Sequence, residues 1–456
     1  MSGTPTTSPP GTRLVPGVGP VPAVGPLQPA PLPVTAERAV GGLRVVAVRR
    51  SAVPLVELRL RLPFAGADPL HPARAQVLSE TLLAGTARHD RPGLAAALQT
   101  LGAELSTRVD ADRLTLRGNG LAAELPALLG LVAEVLSGAT HPDGEVALER
   151  DRLGQQLEVA RSQPGVVARE ALLARMYGDH PYGRELPTAD QVRSVTAEDL
   201  RGLHAERVRA DGGLLVVVGD VEPGAALDAV EAALGGWAGA GAGSAAGAPP
   251  LPAGPVPPLL LVDRPGAVQS TLRLATAAPS RRDPDHAAFV LANLVFGGYF
   301  SSRLVANIRE RRGYTYSPSS GVEHPAAGSR LTVGADVSTG VTAAALLETR
   351  YELGRVAVLP VEQHELDAAR RYATGVLALT TASAADLAAT LTELLTAGVG
   401  VEWLHEQPRA LQAVTVDDAL AAAARWLAPT RFTTVVVGDR ERVEPGLAAL
   451  GEVEPV

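Results

Sequence analysis

Gly297–Ser317, GGYFSSRLVANIRERRGYTYS, is the most informative stretch of the chain. Two glycines and an aromatic pair open it. Ser301 or Ser302 is placed to cap a helix, its hydroxyl accepting from a free backbone N–H. Leu304, Val305 and Ile308 share the face that such a helix buries. Arg309, Arg311 and Arg312 crowd the last turn, where cations suit the negative end of the helix dipole. Gly313 stands where a C′ glycine ends a helix. Tyr314, Thr315 and Tyr316 are β-formers and predict the start of a strand. Arg309 then ends a helix, Tyr316 begins a strand, and both can face one cleft. On periodicity alone, a capped helix with solvated arginines accounts for the same residues.

The chain has 456 residues, a length that predicts two to four domains. Hydrophobic residues make up 46% and charged residues 20%, which supports a packed core and excludes global disorder. Aromatics are only 3%, so that core is built from Leu, Val and Ala. The net charge is −8, all 41 basic residues are Arg, and no basic block stands out, so nucleic acid is not an expected partner. With no cysteine there are no disulfides, thiol nucleophiles or cysteine metal sites. No apolar run is long enough to span a bilayer, the Leu-rich stretch 121–136 carrying Glu124 and Glu134, and no membrane partner is expected. Residues 1–34, rich in Pro, Gly, Thr and Ser, lack the basic start and apolar run of a secretory signal. They are expected to form a disordered tail, and the compartment expected is the cytoplasm.

Leu43–Val48 and Leu55–Leu62 predict two strands with a turn at Arg49–Pro54. Helices are predicted over 73–83, 92–101, 121–137 and 143–160, the last stopped by Pro164, and another over 166–178. Ala103–Ser106 and Arg113–Gly118 alternate as paired strands, with Leu114 and Leu116 on one side. His180, in the turn-rich YGDHPYG run, reads as a loop histidine rather than a metal ligand. Likewise His364-Glu365 and His405-Glu406 read as solvated helix residues. Thr196 and Asp199 have capping-box spacing, and Leu214–Val218 is a continuous apolar strand.

Residues 238–258 are Gly, Ala, Ser and Pro, and read as a linker between halves 35–237 and 259–456. The second half repeats the first. Val195-Thr196 recurs as Val414-Thr415 and Val216–Asp220 as Val435–Asp439, both at an offset of 219. Leu58-Arg59-Leu60 recurs as Leu272-Arg273-Leu274. The fold class is α+β, each half an antiparallel sheet covered by helices.

The runs Gly-Gly-x-Phe-Ser-Ser-Arg-Leu, Ile-Arg-Glu-x-Arg-Gly and Tyr-Ser, in that order, resemble the C-terminal half of the pitrilysin/insulinase family of zinc metalloproteases. The resemblance covers about residues 38–450. It implies two αβ-roll halves closing like a clam around a cavity. By resemblance, Arg309 and Tyr316 hydrogen-bond the substrate's carbonyl and backbone, with Tyr314 a second candidate for the tyrosine. Gly297 and Gly298 would border the same substrate site, and the substrate would be a peptide lying along a sheet edge.

Catalytic members of that family carry H-x-x-E-H, whose histidines bind zinc and whose Glu activates water. Counting back from Thr81–Thr86, TLLAGT, the motif falls on Gln76-Val77-Leu78-Ser79-Glu80, and a further Glu ligand falls near Gln156. Gln is a poor zinc ligand, and Ser79 cannot accept a proton as a carboxylate does. One Glu does not make a site that usually needs three protein ligands. No metal is expected in this chain. The implied role is that of the metal-free subunit of a heterodimer, whose homologous partner carries H-x-x-E-H and zinc. The alternative is a catalytically inert scaffold or peptide-binding member.

Overall fold

A computed structural model of the chain describes residues 34–239 and 247–456. The predicted tail at 1–34 lies outside the described residues except for Val34, as does part of the predicted linker, 240–246. The first six strands are β1 (Thr35–Val40), β2 (Leu43–Arg49), β3 (Leu55–Pro63), β4 (Glu104–Val109), β5 (Arg113–Leu121) and β6 (Leu214–Gly219). They form one sheet in the order β1-β2-β6-β3-β5-β4. The next six are β7 (Leu259–Asp263), β8 (Gln269–Ala278), β9 (Ser319–Glu323), β10 (Ser329–Ser338), β11 (Thr433–Gly438) and β12 (Val453–Pro455). Their order is β12-β7-β11-β8-β10-β9. Position for position, β2, β6, β3, β5 and β4 match β7, β11, β8, β10 and β9. Only the outermost strands break the repeat: β1 pairs antiparallel with β2, and β12 pairs parallel with β7.

The α+β class and the two-halves arrangement are borne out, and the repeat is visible atom by atom. Thr196 and Thr415 each cap a helix, Ala197–Arg207 and Val416–Trp426, and each closes a capping box with an Asp three residues on. Period-two alternation decides the faces of β3 and β5. Leu58, Leu60, Leu62, Leu114 and Leu116 enter the first core, and Arg59, Arg61 and Arg117 stand on the opposite face. The helices His71–Thr81, Leu125–Gly138 and Pro223–Ala238 cover that core. In the second half, helices His286–Asn293, Thr342–Val358 and Val416–Trp426 do the same.

The central strands are buried on both faces. Helix Ala384–Thr396, from the second half, lays Leu387, Ala388, Leu391 and Leu395 on Val46, Val48, Leu214, Val216 and Val218 of the first sheet. Helix Pro164–Tyr177, from the first half, sets Leu172 against Leu260, Ala275 and Val435 of the second sheet. The two helices end at Tyr177 and Thr396, again 219 residues apart (396 − 177). This exchange explains why LLVVV and TTVVV run apolar instead of alternating, as strands covered on both sides do. Polar contacts close the seam. Arg169 bonds Glu323 at 2.9 Å, Arg330 bonds Glu185 at 3.0 Å, and Ala327 N–H donates to the Tyr182 hydroxyl at 2.9 Å. Arg61 pairs with Glu393.

Three local expectations change. The strands over 43–48 and 55–62 exist but are not neighbours, because β6 inserts between them. Pro164 both stops one helix and starts the next, where its missing N–H costs nothing. Strand β1 carries the half-polar TAERAV, too weak a pattern to announce itself. Leu391, fully buried in the exchanged helix, should cost about 2–5 kcal/mol when cut to Ala, read as a lowered urea midpoint.

Candidate functional site

The stretch 297–317 is helical but not regularly so. Helix His286–Asn293 runs into a π-helical turn, Leu294–Gly298, and a second π-helical segment spans Val305–Arg311. Arg303, Leu304, Val305, Asn307 and Ile308 are buried, and Ala306 between them is exposed. Asn307 donates to Glu348 at 2.8 Å and to the fully buried Glu352 at 2.9 Å. Arg303 makes a two-pronged pair with Glu365 at 2.8 and 2.6 Å, so Glu365 is not simply solvated. Ser302 is a weak cap, 3.5 Å from Val305 N.

Gly313 ends the segment with φ +65°, as its position predicts. Tyr314–Tyr316 do not form a strand. The Tyr314 N–H is spent on the Ile308 carbonyl at 2.8 Å, Thr315 Oγ1 donates to Asp336 O at 2.7 Å, and β9 begins only at Ser319.

Arg309 and Tyr316 nevertheless meet. The Arg309 guanidinium lies 4.8 Å from the Tyr316 ring centroid and 4.6 Å from that of Phe300, a cation held between two aromatic faces. Tyr316 is 81% exposed, whereas Tyr314 is half-buried against the second core. Phe300 is a site residue that periodicity did not single out, although it stands in the Gly-Gly-x-Phe run. Gly297 is buried, and a side chain there would come within 2.9 Å of Ser320 Oγ. At Gly298 the clash would be with Leu294, at 3.0 Å. Gly297 lets this turn pack beneath β9, where Ser320 donates to Asn293 at 2.6 Å.

The degenerate metal positions lie on two packed helices, His71–Thr81 and Asp143–Arg161. Ser79 is buried, with its carbonyl accepting from Thr107 Oγ1 at 2.6 Å. Glu80 accepts from Arg152, which also donates to Glu149 at 2.6 Å. Burial would raise the Glu149 carboxyl, but bonds from Arg91 and Arg152 hold it below the usual range. A guanidinium thus supplies the positive charge between these helices. Gln76 and Gln156 offer only neutral amides, and the one carboxylate of the set, Glu80, is already paired. The donor set does not fit zinc. Among the described residues, no group of three or more His, Cys, Asp or Glu is arranged to hold a metal ion. His180 is a brace, accepting from Tyr182 N at 3.1 Å and lying 2.9 Å from Pro249 O.

Between the sheets lies a cavity of about 1580 Å³, bordered by the β4–β5 turn, helix Pro164–Tyr177, and β9 and β10. Ser317, Ser319 and Gly321 line it, but Arg309 and Tyr316 do not. The pair stands outside the chain's own cavity, one residue beyond its lining.

Residues 194–372 match the family model described as Peptidase M16 inactive domain. A solved peptidase M16 inactive domain from Pseudomonas fluorescens superposes with a TM-score of 0.82 at 25% identity, over 89% of this chain and 98% of that one. A protease from Helicobacter pylori shares the fold, with a TM-score of 0.80 at 16% identity, over 89% of this chain and 100% of that one. An uncharacterized zinc protease of Mycobacterium leprae is 26% identical over 64% of this chain and 66% of its own length. One from Mycobacterium tuberculosis is 27% identical over 64% and 68%. The match thus spans about two thirds of these curated relatives. The resemblance read from the sequence is borne out: the chain has the pitrilysin-type, peptidase M16 fold, and residues 194–372 match an M16 domain of the inactive type.

Two outcomes follow. Equilibrium dialysis of the purified chain against micromolar zinc should give no stoichiometric binding dependent on Gln76, Glu80 or Gln156. His286 and His324 stand 5.9 Å apart, and burial, aided by nearby Arg281, lowers them to about 4 and about 3. Unfolding restores their ordinary value near 6.5, so the unfolded chain binds more protons as pH falls. Their stabilisation is complete above about pH 6.5 and is lost towards pH 3–4. The urea midpoint should fall across that window, less steeply in His286→Phe.

Proposed function

We propose that the chain is the metal-free subunit of a heterodimeric zinc metalloendopeptidase, lending Arg309 and Tyr316 to a homologous partner that carries H-x-x-E-H and zinc. One observation carries this reading. The Arg309–Tyr316 stack is formed and exposed, yet it stands outside the chain's own cavity, where another chain can reach it. An inactive-type M16 domain and a donor set unsuited to zinc support the same division of labour.

The chemistry of the pair is that of a donor site. Arg309 is always charged and offers a rigid fork of N–H groups to peptide carbonyls. Stacking between Phe300 and Tyr316 restricts its rotamers, so less entropy is lost when the peptide arrives. The Tyr316 hydroxyl donates to the oxyanion as the scissile carbonyl becomes tetrahedral. Tyr316 suits this better than Tyr314, whose ring is engaged with the core. The free edge of β9, three residues beyond Tyr316, can add an extended peptide by backbone hydrogen bonding.

The test is reconstitution. The chain alone should cleave no peptide, and mixing it with a family partner bearing H-x-x-E-H should restore cleavage. Arg309→Ala or Tyr316→Phe should lower turnover by about 10²–10³, with co-elution of the two subunits unchanged. Full turnover in both variants would leave the chain an inert scaffold and overturn the assignment.

A further inference from the structure

We infer that the cavity contains a carboxylate-binding subsite, formed by Arg61 and Arg113 beside Glu393 and backed by Arg281 from outside the cavity lining, which favours peptides bearing an acidic group. The inference rests on the peptide-binding reading above and adds a specificity to it.

Strand alternation places Arg61 on the face of the first sheet away from its core. There it pairs with Glu393 on the exchanged helix Ala384–Thr396. Its Nε and Nη1 are buried with no partner among the described residues. Arg281 lies over the Trp403 ring, 5.5 Å from its centroid, and its Nε is equally buried and unpartnered. His286 adjoins the same Trp403, and its Nδ1 also lacks a partner. Arg113 is 9% exposed. Arg61, Arg113 and Arg281 all act on Glu393. For Arg281, Glu393 is the one charge offsetting its burial.

Buried N–H groups of Arg61 and Arg281 therefore stand without an acceptor in a place where water is scarce. Two carboxylate oxygens cannot satisfy three guanidinium forks. Buried donors left unmatched are unfavourable until an acceptor arrives. Asp110 and Asp112 also line the cavity, and although Asp112 Oδ1 is buried without a partner, neither carboxylate is bonded by the side chain of Arg61, Arg113 or Arg281 among the described residues. Asp110 accepts from the backbone of Asp112 and Arg113, and Asp112 Oδ2 accepts from Ala326 N. Arg61, Arg113 and Glu393 line the cavity, where a peptide can reach them, whereas Arg281 lies outside the lining and acts on the site through Glu393. The acceptor that matches planar guanidinium forks is a carboxylate, from an acidic side chain or from a peptide C-terminus.

The test uses the full chain alone and fluorescein-labelled Gly/Ser/Ala peptides, read by anisotropy. Four versions carry Glu or Gln at the centre and a free or amidated C-terminus. The version with the matching carboxylate should bind about tenfold tighter or more than the Gln amide peptide. A gain from Glu assigns a side-chain carboxylate, and a gain from the free end assigns a terminus. Arg281→Gln breaks no hydrogen bond or ion pair among the described residues. It should erase the gain while leaving Tm and the affinity for the Gln amide peptide unchanged. Arg61→Gln is the second variant and should also erase the gain, with a lowered Tm because it breaks the pair with Glu393. Equal affinities for all four peptides, no binding of any, or a gain that survives both variants would overturn the subsite. Because no partner subunit is present, failure here with Arg309- and Tyr316-dependent turnover intact would leave the subunit assignment standing.

Discussion

The structure depends on a reciprocal trade of helices. In each half, two central strands are apolar on both faces, and neither half has enough helices of its own to cover both. Ala384–Thr396 of the second half closes the first sheet, and Pro164–Tyr177 of the first half closes the second. Either half alone would expose a stripe of Val and Leu to water. Hydrophobic burial therefore ties the halves together beside the cavity. The same exchange carries Glu393 across to Arg61, so the fold's joint and one wall of its cavity share a helix.

Charge in this protein is handled almost wholly by arginine. At the degenerate metal positions, Arg152 links Glu80 and Glu149, doing with a guanidinium what a metal ion would do for clustered carboxylates. At the seam, the nearly inaccessible Arg330 is held by Glu323 at 2.6 Å and Glu185 at 3.0 Å, which keep it protonated despite burial. Such a pair is costly to break, because the remaining charge would be left without a partner in a poorly solvated place. At the exposed stack, Arg309 lies against the rings of Phe300 and Tyr316, with Glu310 3.4 Å from its Nε.

Much of this was legible beforehand. The repeat at 219 residues gave two equivalent sheets, and the Thr196 and Thr415 caps formed as their spacing required. Gly313 adopted its left-handed turn. The expectation that failed nearby, a strand at Tyr314–Tyr316, failed because capping claimed the Tyr314 N–H before a sheet could. The π-helical winding was not legible, because the buried positions 303–305 and 307–308 fit a period of 3.6 as well. Glu365 looked solvated only because Arg303, 62 residues earlier, cannot be paired with it by inspection.

Local chemistry fixed what depends on neighbours in the chain: caps, glycine turns, strand alternation, and a set at Gln76, Ser79 and Glu80 with too few zinc ligands and no base. These follow from side-chain type and spacing, which need no tertiary context. Only the folded chain decided which apolar faces are covered from the other half, which carboxylate each arginine meets, and that Phe300 and Tyr316 enclose Arg309. Those outcomes join residues far apart in the chain, and their energies exist only once packing has excluded water between them.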